Sequence, residues 1–144
     1  MPATTIWRTL PGWLAGVWLL SAVASAVAAP VIIATVPYWH TVRIHLMDLG
    51  QWQAWISIAA CVGLMVFSRR KYAEHEEGWA QGALLIYVIG GLLTAIVMTY
   101  GVLPQWLVHS SSMAKTAQVV VLVVLHVVCA ACTWRSLRKW YRTA

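Results

Sequence analysis

Four stretches of this chain, residues 13–36, 51–68, 79–103 and 116–134, contain no Asp, Glu, Lys or Arg. A helical membrane crossing needs about 20 predominantly apolar residues, and these four runs meet or approach that length. In hydrocarbon no water is present to pair a backbone N–H or C=O, so a spanning segment must satisfy both internally. That requirement makes the runs helices. The expected fold is therefore all-α: a polytopic four-transmembrane-helix bundle, with residues 1–144 forming a single integral membrane domain. Composition agrees. The chain is 61% hydrophobic and 10% charged, against about 25% charged in a typical soluble domain.

The first run also carries the small-residue pattern of a secretory signal, with Ala22-Val23-Ala24 and Ala26-Val27-Ala28 each fitting an A-x-A cleavage site. The apolar run continues beyond them through Val31–Val36, past Pro30, which favours a retained span. Ser21, Ser25 and Ala29 recur every four residues, as do Ala22 and Ala26. Such small faces let membrane helices approach closely.

The positive charges give an orientation. Arg8, Arg69, Arg70, Lys71, Arg135, Arg138, Lys139 and Arg142 fall on the side of the two termini, and only Arg43 and Lys115 on the other. Lys and Arg concentrate in cytoplasmic segments, so both ends are expected in the cytoplasm of a bacterial inner membrane. The net charge of +6 is thus a topological signal. There is no basic stripe with interleaved aromatics, and nucleic acid is excluded as a partner. Trp7, Trp13, Trp79, Trp134 and Trp140 fall near the inner boundary. Trp39, Trp52, Trp55, Tyr100 and Trp106 fall near the outer one, as interfacial anchors. Trp18 and Tyr87 lie within the core.

His126 is the anomaly. It sits in the run VVVLVVLHVVCAACTW, residues 119–134, near mid-membrane. Ionisable groups at that depth are functional candidates. At the same depth the other spans offer Ser25, Cys61, Gly90, Gly91 and Thr94. Two arrangements follow. Small residues let the helices close on His126, with Ser25, Thr94 or Tyr87 as its hydrogen-bond partner. Alternatively they leave room for a flat cofactor such as haem b, lined by Ser25, Gly90, Gly91 and Thr94, with His126 as axial ligand and Met65 or Met98 opposite. Cys129 and Cys132 have redox-like C-x-x-C spacing. Near the cytoplasmic end of a membrane helix, with no basic residue inside the span to activate a thiol, they are expected to be small apolar fillers.

A second cluster lies outside the spans. HTVRIHLMD places His40, His45, Met47 and Asp48 in one external loop, and His109 and Met113 occupy the other. Imidazole, thioether and carboxylate together suit copper, and His40, His45, Asp48 and His109 form a candidate metal set. On the inner side, SRRKYAEHEEGWAQ reads as a solvated turn leading into an acidic first helical turn at Glu74, His75, Glu76 and Glu77. No GxGxxG, P-loop, nucleophile elbow or H-E-x-x-H occurs. None of the four acidic residues lies in an expected span, against a small multidrug-type exchanger.

Ala15, Gly16 and Trp18, followed by Ala29-Pro30-Val31, resemble the opening of small uncharacterised four-span bacterial membrane proteins, and VLPQW at 102–106 is similar to the exit of their third span. More distantly the layout resembles copper-resistance-type membrane domains. The resemblance implies the four-span fold and no established activity. The leading expectation is a non-enzymatic subunit or accessory protein of a larger membrane complex. It would contact the lipid bilayer and either other membrane subunits or further copies of itself. A haem- or quinone-binding electron-transfer protein is one alternative. A small oligomeric transporter or metal-handling protein is another.

Overall fold

The computed structural model describes residues 3–73, 83–109 and 112–143. The fold is all-α. Helix α1 spans Ala3–Thr35, α2 Trp39–Ala73 and α3 Ala83–Ile96. A π-helical stretch Val97–Val102 joins α3 to the short α4, Leu103–Val108, and α5 spans Met113–Thr143. Four continuous stretches are long and apolar enough to cross a membrane: Thr9–Thr35, Trp39–Phe67, Leu84–Val108 and Met113–Lys139. The chain is a multi-pass, four-helix membrane bundle. The acidic turn expected at Glu74, His75, Glu76 and Glu77 lies outside the described residues.

Two boundaries differ from the sequence reading. The segment expected as an external loop before residue 51 is the start of α2. Average hydropathy dips there because Arg43, His45 and Asp48 are present, yet Val42, Leu46, Ala54 and Ser57 are buried. The inward face therefore continues through the polar segment at helical spacing. Asp48 consequently belongs to a spanning helix, which corrects the expectation that no acidic residue does. It lies on the exposed face of α2.

The third crossing does not stop at Pro104. Proline lacks an N–H, and its ring clashes with the carbonyl four residues earlier. Just before it the backbone widens into the π turn, where the Leu103 N–H bonds the Met98 carbonyl five residues back. Helical pairing then resumes to Val108.

Helix α1 packs against α2 and α5, and α3 packs against the same two, so α1 and α3 stand on a diagonal. Lipid chains are as apolar as leucine, so close packing and hydrogen bonds must hold such a bundle together. In the half nearer the termini, Ala15, Trp18, Ala60, Cys61, Leu64, Val88, Ala130 and Leu137 form a dense core. Trp18 crosses the diagonal there. A Cβ placed on Gly91 of α3 would lie 2.2 Å from Cζ2 of the Trp18 ring, so only glycine admits the indole. In the far half Val42, Leu46, Leu103 and Leu107 form a smaller cluster.

Helices α4 and α5 are tied by Trp106, whose Nε1–H donates to Thr116 Oγ1 at 2.9 Å. Trp39 meets the Trp106 ring edge-on, with centroids 6.4 Å apart. Trp106→Phe keeps the ring and removes the donor. Its expected cost is about 0.5–1.5 kcal/mol, read as a lowered denaturation midpoint in detergent; an unchanged midpoint would show that the tie contributes nothing.

Candidate functional site: a polar belt beneath an apolar cavity

His126 is the hub of a hydrogen-bonded belt that joins all four crossings. Trp18 Nε1–H of α1 donates to His126 Nε2 at 3.1 Å. An indole nitrogen only donates, so Nε2 carries a lone pair and the imidazole proton is assigned to Nδ1. Nδ1 lies 3.1 Å from the Gly91 carbonyl and 3.0 Å from Thr94 Oγ1. The Thr94 hydroxyl donates to the same carbonyl at 2.9 Å, which has two lone pairs to offer. Ser57 Oγ of α2 lies 3.0 Å from Nε2 and accepts from Gln53 Nε2 at 3.1 Å. Ser25 Oγ of α1 closes the belt by donating to Gln53 Oε1 at 3.0 Å. His126 and Ser57 are buried, and the Trp18 and His126 rings meet edge-on with centroids 5.6 Å apart.

Above this belt, toward the far end, the bundle opens into a cavity of about 530 Å³. Ser25, Gln53, Thr94 and His126 form its polar floor, and the walls are otherwise nearly all apolar. Three features of the sequence create the space. Ala22, Ala26 and Ala29 leave room where larger side chains would fill it. Pro30 on the wall has no N–H for the carbonyl of Ala26. The π turn contributes Met98 and Thr99, and such turns recur at functional sites. Pro30 and Ile33 of α1 and Val120 and Val124 of α5 line the cavity and are exposed. The cavity therefore opens sideways between α1 and α5.

The structure places the residues singled out by sequence as follows. Ser25, Gly91, Thr94 and His126 share the belt. Gly90 lies beside it, where its Cβ would meet Cys129 Sγ at 3.2 Å. Tyr87 makes no described bond to His126. The close-packing role expected of the small face on α1 is only part of its use, since Ala22, Ser25, Ala26 and Ala29 also border the cavity. Trp18, Gln53 and Ser57 were not anticipated as belt members. A span beginning at residue 51 puts Gln53 at its outer end, far from His126. Once α2 starts at Trp39, Gln53 and Ser57 fall at mid-bundle. Trp55 lies between them and is therefore level with His126, a correction to its expected place at the outer boundary.

In this arrangement His126 is unsuited to bind haem iron. Axial ligation requires the Nε2 lone pair, which Trp18 and Ser57 already engage. Of the two candidate second ligands, Met98 is on the cavity wall but Met65 packs against the core nearer the termini. The external metal set also does not assemble: His40, His45 and Asp48 are exposed along α2, and His109 is exposed after α4. Among the described residues no three His, Cys, Asp or Glu side chains gather as a metal site. Cys61, Cys129 and Cys132 are free thiols, with Cys61 in the buried core.

Comparison with protein-family models, with curated proteins and with solved structures finds no match to this chain.

Proposed function

We propose that this chain is a non-enzymatic accessory subunit of a larger complex in a bacterial inner membrane, with both ends in the cytoplasm. The observation that carries the reading is the outward face of α2. Asp48, Trp52, Trp55, Ala59 and Val62 follow one another at steps of four and three, the spacing of a helix–helix seam. All are exposed, with Trp52 at 71% and Trp55 at 63%. Tryptophan normally collects at the membrane–water interface, yet Trp55 stands at the depth of His126. Lipid tails offer its indole N–H no acceptor, and the described residues supply none. A neighbouring membrane helix supplies both an acceptor and a shaped surface.

The non-enzymatic part rests on the belt, where the polar groups bond one another and tie the helices. The eight-to-two distribution of Lys and Arg supports the orientation.

The test is a photoreactive phenylalanine analogue at position 55, irradiated in native membranes, with native mass spectrometry of the purified chain. The expected result is a cross-link to a different membrane protein and a mass exceeding that of the chain. Adducts to lipid alone, together with a monomeric mass, would overturn the proposal.

A further inference from the structure

We infer that the lateral cavity is a binding site for an uncharged membrane lipophile bearing a carbonyl- or hydroxyl-substituted ring, of the quinone or quinol class. The ring sits on the polar floor and the tail leaves between α1 and α5. The cavity volume of about 530 Å³ falls within the range of about 300–1,000 Å³ typical of small-molecule sites. It combines apolar walls with a few convergent polar groups, the pattern that orients such ligands.

The floor retains hydrogen-bonding capacity. The Gln53 amide has two N–H donors and an oxygen with two lone pairs. Ser57 and Ser25 take one of each, leaving a donor and an acceptor lone pair. The hydroxyl oxygen of Ser25 adds further acceptor capacity. A ring carbonyl matches the donor, and a ring hydroxyl matches the acceptors.

Charge and depth select among lipids. No Asp, Glu, Lys or Arg lines the cavity, so a phosphate or ammonium headgroup would find no counter-charge. A glycerolipid keeps its headgroup at the interface and would present only a methyl tail to the floor. That would leave the spare N–H of Gln53 without an acceptor. An uncharged ring carried by an apolar tail is soluble in the hydrocarbon itself. It reaches the mid-bundle floor through the side opening without crossing an interface. Toward the far end Leu103 and Trp106 line the cavity, and Trp106 is hydrogen-bonded to Thr116.

The test uses decylbenzoquinone and decylbenzene, which share a tail and differ in the polar head. Each is titrated into the full chain in lipid nanodiscs. The expected result is saturable one-to-one binding of the quinone, about tenfold tighter than the hydrocarbon, the upper range for one recovered hydrogen bond. In Gln53→Leu the preference falls to about parity. Ala26→Leu, which fills the cavity from α1 and leaves the floor intact, abolishes binding of both probes. Circular dichroism confirms that each variant is folded; if Gln53→Leu unfolds, Ser25→Ala takes its place as the floor variant, with a reduced preference expected. Equal binding of both probes to the wild-type chain would overturn the assignment. So would quinone binding unaffected by Ala26→Leu, or displacement of the quinone by phosphatidylethanolamine at equal concentration.

Discussion

Replacing His126 by leucine is expected to lower the stability of the bundle by about 2–3 kcal/mol, measured by unfolding in mixed micelles of sodium dodecyl sulfate. A single interhelical hydrogen bond in a membrane protein contributes only about 0.6 kcal/mol on average, so losing one bond would scarcely register. His126 differs because its removal takes a contact from several groups at once. The Trp18 N–H loses its acceptor. Ser57 and Thr94 lose a neighbour at 3.0 Å each, while Ser57 keeps the bond from Gln53 and Thr94 its bond to the Gly91 carbonyl. The buried Trp18 N–H, left without its acceptor, dominates the cost, and the groups that lose a contact belong to three different crossings.

His126→Gln retains an amide oxygen to accept from Trp18 and an N–H to donate, so its loss should be smaller. Trp18→Phe removes the donor while keeping an aromatic ring. In a double-mutant cycle with His126→Leu, it should couple by about 0.5–1.5 kcal/mol. Equal stability of His126→Leu and the parent would show that the belt does not hold the helices.

Gly91→Ala should be comparably damaging, at about 1–3 kcal/mol, through overpacking rather than lost bonds. The added carbon would lie 2.2 Å and 2.3 Å from Cζ2 and Cη2 of Trp18. That ring is fully buried and is fixed by its bond to His126, so it cannot swing aside like the end of a flexible chain. Either α1 and α3 separate or the Trp18–His126 bond breaks. Gly101→Ala is the control: its Cβ meets nothing within 4 Å, and its effect should stay within about 0.5 kcal/mol. Trp18→Phe in the Gly91→Ala background should recover part of the loss, because the phenyl ring does not extend as far. Equal costs for Gly91→Ala and Gly101→Ala would remove Trp18 from its bridging role.

These two sites show how unevenly the structure could be read in advance. The all-α fold and the mid-depth of His126 were legible, because hydrocarbon leaves the backbone no alternative to a helix and because depth is counted along one chain. Thr94 and Gly91 were also legible as its neighbours, by the same counting on the third crossing. Gln53 and Ser57 were not. The segment ahead of them is polar on one face and apolar on the other, and hydropathy averaged over both faces concealed a helix that Val42 and Leu46 continue. The metal set at His40, His45, Asp48 and His109 relied on a loop bringing those residues together. The helix instead turns His40 and His45 to different faces, and among the described residues no third ligand joins His45 and Asp48.

By itself, then, the sequence determined the number of crossings and the mid-span place of His126, since both follow from length and from the energetic cost of an unpaired backbone in lipid. The tertiary structure alone decided that Trp18 spans the diagonal to Gly91, that His126 has both nitrogens engaged, and that the alanines of α1 border an open cavity. Those outcomes depend on how each helix is rotated and tilted against its neighbours, which is set by side-chain fit across three other helices and has no counterpart in the order of residues along one.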